Sequence, residues 1–254
     1  MYAYRKVAKG FRYDPPGDLY HEFEATFGFE ETPDQTRAIQ DVLDDMDKPE
    51  PMDRLVCGDV GFGKTEVALR AAFRAASEGR QVALLCPTTV LAEQHFQTFR
   101  ARLSGFPVNV GLLSRFVSRA KQKETLAAAA RGTIDILIGT HRLLSADVQL
   151  PNLALLILDE EQRFGVRHKE KLKALKKNVD VLTLTATPIP RTLQLSMSGI
   201  RDLSVIETAP QERKPVATAL LRRDTGQLRQ ILQRELAREG QIFWVYNRVQ
   251  GLER

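Results

Sequence analysis

Gly58-Asp59-Val60-Gly61-Phe62-Gly63-Lys64-Thr65 is the stretch on which the reading of this chain turns. An apolar run, Arg54-Leu-Val-Cys57, precedes it and reads as a buried strand. An alanine-rich run from Lys64 to Ser77 follows and reads as a helix. Strand, glycine loop and helix in that order give the pattern G-x-x-x-x-G-K-T the context of a phosphate site. The glycines let backbone N–H groups turn inward around an anion, and the helix directs its positive end at the same point. Gly58, Asp59, Val60, Gly61, Phe62 and Gly63 would form the cradle. Lys64 would reach the β- and γ-phosphates, and the Thr65 hydroxyl would hold Mg²⁺. The bland alternative is a glycine turn beside a surface lysine; all four fixed positions in the right context argue against it.

Composition sets the frame around that loop. With 254 residues, 43% of them hydrophobic, the chain has material for a substantial core and for one large domain or one and a half. A net charge of +5 favours an anionic partner. Cys57 and Cys86 both end apolar runs, which suits buried thiols better than a disulfide, and they lack metal-ligand spacing. No apolar run approaches the roughly 18 residues of a membrane span, and the N-terminus lacks an apolar signal core. The expected setting is a reducing cytoplasm, with no membrane partner.

Outward from the loop, apolar strands alternate with helices. Strands are expected at 54–57, 82–86, 107–112, 134–138, 153–158 and 181–184, and helices at 64–78, 90–103, 118–131 and 166–177. In 90–103, Ala92, Phe96, Phe99 and Leu103 recur at helical spacing. Leu153-Ala-Leu-Leu-Ile-Leu158 is apolar throughout, as in a central strand covered on both faces of a parallel α/β sheet. Upstream, Asp18 to Phe27 reads as a short helix. Thr32-Pro-Asp-Gln35 starts a helix, with Thr32 as cap, Pro33 in the first turn and Gln35 completing a capping box.

Residues 1–27 read as a linker or the tail of a preceding element, and 28–210 as the first α/β domain, irregular from beyond the helix at Arg191 to Pro210. After that come a strand at Val216–Leu221, a helix at Thr225–Arg238 with Leu228, Ile231 and Leu232 inward, and a buried strand at Gln241–Tyr246. Two strands are too few to stand alone, so 211–254 reads as the truncated start of a second α/β domain.

Leu158-Asp159-Glu160 closes the most apolar strand. Ligands of open α/β sheets bind beyond the carboxyl ends of strands. Asp159 is therefore placed to reach the Mg²⁺ held by Thr65, and Glu160 to orient or deprotonate an attacking water. The alternative is a pair of strand-end acids facing solvent.

Four further segments extend the pattern. Asp159-Glu-Glu-Gln-Arg-Phe-Gly165 resembles motif II of superfamily 2 helicases and translocases, and Thr185-Ala-Thr-Pro-Ile-Pro-Arg-Thr192 resembles motif III. Pro87-Thr-Thr-Val-Leu-Ala-Glu-Gln-His95 and Gly139-Thr-His141 are similar to motifs Ia and Ib. Within that superfamily the chain, from about Phe29 onward, most resembles the translocase module of the bacterial transcription-repair coupling factors. Thr32–Gln35, Met52–Glu66 and Ile134–His141 carry the likeness. Gln162 stands where family members usually have His; Gln can still hydrogen-bond.

The resemblance implies a RecA-like P-loop fold, ATP and Mg²⁺ as cofactors, and Lys64, Asp159 and Glu160 as catalytic residues. It implies that Gln35 reads adenine and leaves Phe29 to stack on the base. The plain alternatives are a capping role for Gln35, which need not exclude base contact, and core packing for Phe29. Thr88, Thr89, Thr140 and His141 follow strand ends, where hydroxyls and N–H groups would hold a nucleic-acid phosphate. His141 could instead make a local helix-start hydrogen bond. Arg115, in Ser114-Arg-Phe116, resembles a DNA-contact motif or is a solvated loop arginine. Gln162, Thr185 and Thr187 would relay nucleotide state. The basic run from Arg163 to Lys177 is either a solvated helix face, with Leu172 and Leu175 packed, or a DNA-facing one.

The function so implied is the ATP-binding half of a double-stranded DNA translocase. In the parent it would displace stalled RNA polymerase and promote excision repair, through regions outside this chain. The rivals are a fork-acting branch-migration helicase and, from another class, a nucleotide-dependent binding module without turnover. Against the last stands Glu160, since a pure switch has little need of a placed water activator. The second domain of such enzymes supplies arginines to the transferring phosphoryl group, so this chain alone is expected to hydrolyse ATP very poorly.

Overall fold

A strand that is apolar at every position needs cover on both faces, and that requirement organises the molecule. The computed structural model describes residues 10–165, 168, 170, 172, 178–186, 201–211, 213, 216, 218, 220 and 225–245. Among these the chain forms α1 (Asp18–Ala25), α2 (Pro33–Met46), β1 (Asp53–Gly58), α3 (Lys64–Ser77), β2 (Gln81–Leu85), α4 (Thr89–Arg102) and β3 (Val110–Leu113). Then follow α5 (Arg119–Ala130), β4 (Ile136–Gly139), β5 (Leu153–Asp159), β6 (Asp180–Thr185), β7 (Asp202–Ile206) and α6 (Thr225–Ala237). The strands join in one sheet, ordered β3-β4-β2-β5-β6-β1-β7, and every pairing is parallel. All carboxyl ends therefore lie along one edge, the edge that carries ligands in this class of sheet.

β5 shows how the core is divided. Leu155 and Ile157 join one hydrophobic cluster with α2, α3 and α4 residues, while Leu156 and Leu158 join a second on the opposite face. This is the period-two alternation of a strand, with both faces apolar because both are covered. α3 is buried along nearly its whole length; its alanines let the helix lie close to the sheet. Two arginines sit in that buried face. Arg70, 1% exposed, donates to Glu66 at 2.8 Å and to Glu24 and Glu31, each at 2.6 Å. Arg74 donates to the Leu43 and Asp14 carbonyls and pairs with Asp47. Buried guanidinium groups persist here because most of their N–H groups find acceptors; Arg74 Nε is the exception.

Several expectations change. Asp202–Ile206 is β7, an edge strand on β1, not an irregular stretch. It is short and alternates exposed with buried positions, so it lacks the unbroken apolar run of the inner strands. Its Ser204 hydroxyl accepts from Arg54 at 2.8 Å and donates to Asp41 at 2.6 Å, tying the edge to α2. Residues 10–17, read as linker or tail, lie against α2 and α3. Tyr13 is 1% exposed, its N–H donates to Met46 O, and the Asp14 N–H donates to Glu78. β3 starts at Val110, later than periodicity suggested.

The chain forms two compact units, to Arg213 and from Lys214. The second, taken by itself, contains α6. Leu228 and Leu232 are half-buried, but Ile231 is 45% exposed rather than inward. Residues 241–245 form no strand, and Phe243, Trp244 and Val245 are exposed. A strand needs a neighbour to take its hydrogen bonds, and the described residues of this unit supply none. Val216, Thr218 and Leu220 form no strand either; the other positions of that expected strand lie outside the described residues.

Candidate active site

The phosphate loop is built by β1 and α3. β1 ends at Gly58, the loop turns through Asp59–Gly63, and Lys64 opens α3. Gly61 and Gly63 both have φ of 82°, a conformation open to glycine and costly to other residues. Gly63 is also crowded: an added Cβ would collide with the Gln35 amide nitrogen. Lys64 Nζ donates to the carbonyls of Gly58, at 2.6 Å, and Asp59, at 2.9 Å. Burial pulls its ammonium below the usual 10.5, while the nearby carboxylates of Asp159 and Glu160 pull the other way. Lysine and acid pair thus share one neighbourhood, as strand-end placement predicts. Asp59 accepts from the Val60 N–H at 2.8 Å and pairs with Arg213 at 3.0 Å; these contacts hold its carboxyl below the usual range. The Arg213 guanidinium also lies 4.6 Å over the Phe62 ring.

The acid pair is held tightly. Asp159 ends β5 and is 9% exposed. Glu160 follows in the left-handed region, φ 52° and ψ 50°, and its N–H donates to Leu184 O at 2.9 Å. That bond to β6 stabilises a conformation that otherwise costs about 1–3 kcal/mol. One Glu160 oxygen accepts from the Ala186 N–H at 2.9 Å, and the other from the Gln162 amide. Gln162, Glu160 and the backbone after buried Thr185 therefore form one connected unit. Thr187 lies outside the described residues.

One side of the loop opens into a cavity of about 800 Å³ lined by Phe27, Phe29, Gln35, Gly61, Gly63 and Thr65, among others. Phe29 is 63% exposed, which overturns core packing and leaves its face free for a planar ligand. Phe27 braces it edge-on at 5.6 Å. Gln35 makes the expected capping box with Thr32. Its Oε1 accepts from the Thr32 N–H, and its Nε2 donates to Phe62 O, both at 2.9 Å. The amide thus ties α2 to the phosphate loop.

A second group of candidates occupies the other half of the carboxyl edge. Arg115 follows β3, Thr140 and His141 follow β4, and Thr88 and Thr89 follow β2; these three strands are neighbours. Thr88 caps α4, its hydroxyl accepting from the Leu91 N–H at 3.2 Å. Thr140 is buried, its carbonyl accepting from Leu143 N as a 3₁₀ turn, His141–Leu144, begins. His141 starts that turn, is exposed, and stacks on His168 with centroids 5.1 Å apart. Arg115 is exposed, 5.4 Å from the Phe116 ring. In the basic run, Leu172 is buried as expected; Leu175 and most of the basic residues lie outside the described residues.

One participant was not singled out by periodicity. His95 Nε2 lies 2.8 Å from Asp159 Oδ2. The buried stripe of α4 is Ala92, His95 and Phe99, with Phe96 only partly buried. A histidine on a stripe otherwise made of apolar residues was the available signal.

The donor set suits Mg·ATP. Mg²⁺ takes one or two protein oxygens plus phosphates rather than a cage of side chains. Among the described residues there is no ready cluster of three His, Cys, Asp or Glu, whereas Thr65 and Asp159 offer one hydroxyl and one carboxylate. A 14-residue helix, α3, starts at the loop and supplies N-terminal N–H groups for phosphate.

Parallel sheet, phosphate loop and strand-end acids together define a RecA-like P-loop domain. Residues 32–196 match the family model for DEAD/DEAH box helicases, and the chain belongs to that family. Membership implies ATP use. The whole chain is 56% identical to 22% of the transcription-repair-coupling factor of Bacillus subtilis (strain 168). Of the chain, 99% is 55% identical to 22% of the Staphylococcus aureus (strain USA300) factor. The chain thus spans about a fifth of the length of these relatives. Among solved structures, RecG bound to a three-way DNA junction matches 98% of the chain and 34% of its own, at 35% identity and a TM-score of 0.81. The DUF1998 helicase MrfA matches 93% of the chain and 39% of its own, at 14% identity and a TM-score of 0.66, a likeness of fold alone.

Proposed function

We propose that this chain is the ATP-binding half of a double-stranded DNA translocase, with Mg²⁺ as the metal. The observation that carries the reading is the division of the carboxyl edge: Arg115, Thr140 and Thr88 after β3, β4 and β2, then Asp159 as the last residue of β5 and Lys64 after β1. Hydroxyls, helix starts and one arginine on the first half suit backbone phosphates, which carry no sequence information. On the second half, Lys64 and the loop N–H groups bind the nucleotide phosphates, Thr65 and Asp159 hold Mg²⁺, and Glu160 takes the proton of the attacking water. Bound Mg²⁺ supplies charge stabilisation on the phosphoryl group. Phe29 stacks on the base, and Gln35 reads it on releasing a present partner. Gln162 and Thr185 couple hydrolysis to movement, together with Thr187.

The likeness to transcription-repair-coupling factors supports a parent that displaces stalled RNA polymerase and promotes excision repair in the cytoplasm. RecG, matched at lower identity, supports the fork-acting alternative less strongly. We assign residues 28–210 to the first RecA-like domain and 211–254 to the opening of a second. Arginines for the transferring phosphoryl group lie elsewhere in such parents, so hydrolysis by this stretch alone is slow.

The test measures nucleotide affinity, single-turnover hydrolysis and duplex binding at several salt concentrations. Expected are Mg²⁺-dependent ATP binding weakened by Lys64→Ala, and weak DNA binding that falls with salt without sequence preference. Salt-independent or strongly sequence-selective DNA binding would overturn the translocase reading. In the parent, the same reading requires dissociation of a stalled polymerase.

A further inference from the structure

Asp159 is the carboxylate assigned to Mg²⁺, and a lone carboxylate on a strand end has freedom to rotate. Here it does not stand alone. His95, 8% exposed, places Nε2 2.8 Å from Asp159 Oδ2. An ionised carboxylate has no hydrogen to give, so the ring donates through Nε2. Phe99 meets the imidazole edge-on at 6.3 Å and limits its rotation. Among the described residues Asp159 Oδ1 has no hydrogen-bond partner, so one oxygen is fixed and the other is left for the metal.

The histidine comes from an unexpected direction. α4 follows β2, the neighbour of β5, and its N-terminus carries Thr88 and Thr89 on the nucleic-acid half of the edge. Less than two turns further on, the same rigid helix presents His95 to the nucleotide half. The two halves are therefore joined by one helix and one hydrogen bond.

We propose that His95 is the positioning residue for Asp159: its Nε2–H holds the carboxylate in the rotamer that binds Mg²⁺. This rests on the assignment of Asp159 to the metal. Outer-shell partners of metal ligands are worth about 10–100-fold in metal affinity. A buried histidine with a merely structural role would change stability without a specific effect on Mg²⁺.

The test compares binding of a fluorescent ADP by the wild-type chain and its variants, in Mg²⁺ and in EDTA, with thermal unfolding recorded alongside. Wild type should bind more tightly in Mg²⁺. His95→Gln, whose amide nitrogen falls near the position of Nε2, should keep that enhancement. His95→Asn, whose amide falls short, and His95→Leu should each lose about tenfold of it, with EDTA affinity unchanged. Asp159→Asn should lose the enhancement, and adding His95→Leu to it should cost nothing further. Two soluble variants, Gln and Asn, suffice if Leu does not fold. An enhancement kept by His95→Asn or His95→Leu but lost by Asp159→Asn overturns the proposal while leaving the function intact. Failure of the wild type to bind nucleotide overturns the function itself, and this proposal with it.

Discussion

The side chain of Gln35 fills the space that a side chain on Gly63 would need. Its Nε2 donates to Phe62 O at 2.9 Å, and a Cβ built on Gly63 runs into that same nitrogen. The backbone angle is what requires glycine at 63, and a side chain there would also displace the Gln35 amide from Phe62 O. Gly61 shares the angle, φ 82°, but has open space around it.

The pair predicts a ranking. Gly61→Ala should cost about 1 kcal/mol of strain and weaken nucleotide binding by several-fold. Gly63→Ala should weaken binding more than Gly61→Ala does, because it adds displacement of the Gln35 amide to the same strain. Adding Gln35→Ala to Gly63→Ala should recover part of the stability, since the collision is gone and only the strain remains. Thermal unfolding and nucleotide titration of the three variants check this order.

Glu160 offers a second prediction. Gln162 and the Ala186 N–H hold its two oxygens. Glu160→Gln keeps the shape and loses the base, so turnover should fall by about 10²–10⁴-fold with nucleotide affinity spared. Gln162→Ala releases one oxygen and should reduce turnover less. Single-turnover hydrolysis in the longer parent is the measurement; normal turnover in Glu160→Gln would refute its role as base.

Arg213 and Asp59 predict a coupling rather than a stability effect. Asp59 is exposed, so solvent screens the pair and it should add little to folding. Its value lies beside the phosphate loop, where an unpaired Asp59 repels an anion. Arg213→Ala should weaken nucleotide binding by roughly threefold. In an Asp59→Ala background the same change should have no effect. A four-variant cycle with equal losses in both backgrounds would show that Asp59 is not the partner that matters.

Arg70 predicts instability. It is 1% exposed and holds Glu66, Glu24 and Glu31. Arg70→Met leaves buried acid without its main partner and should cost about 3 kcal/mol. For a domain of this size that is a fall of roughly 6–12 °C in Tm. Arg102, 2.7 Å from Glu66, limits the loss; Arg102→Ala on top of Arg70→Met should therefore cost more than Arg102→Ala alone.

The sequence carried the inner strands and the phosphate loop because their signals are local. Unbroken apolar runs such as 153–158 announce burial on both faces, and glycines at fixed spacing before Lys64 announce the loop. What escaped was relational. β7 is an edge strand with alternating burial, so its signal is half that of an inner strand. His95 looked like one polar residue in motif Ia until its ring was found 2.8 Å from the carboxylate that ends β5. Gln35 was legible as a helix cap, but its bond to Phe62 O depends on how α2 meets the loop. Residues 241–245 are apolar enough to read as a strand, yet apolarity states only what a segment would gain from cover.

The order of pairing has a consequence for synthesis. β1 carries the phosphate loop, but it is flanked by β6 and β7, whose residues Val181–Thr185 and Asp202–Ile206 come far later in the chain. β2, β4 and β5 can pair among themselves long before. A ribosome therefore delivers the loop early and its lateral supports late, and such non-local parallel pairing is slow. Competence to bind nucleotide is thus a terminal event in assembly: it marks a domain whose sheet is already complete, and a nascent chain shorter than Ile206 holds the motif without the site.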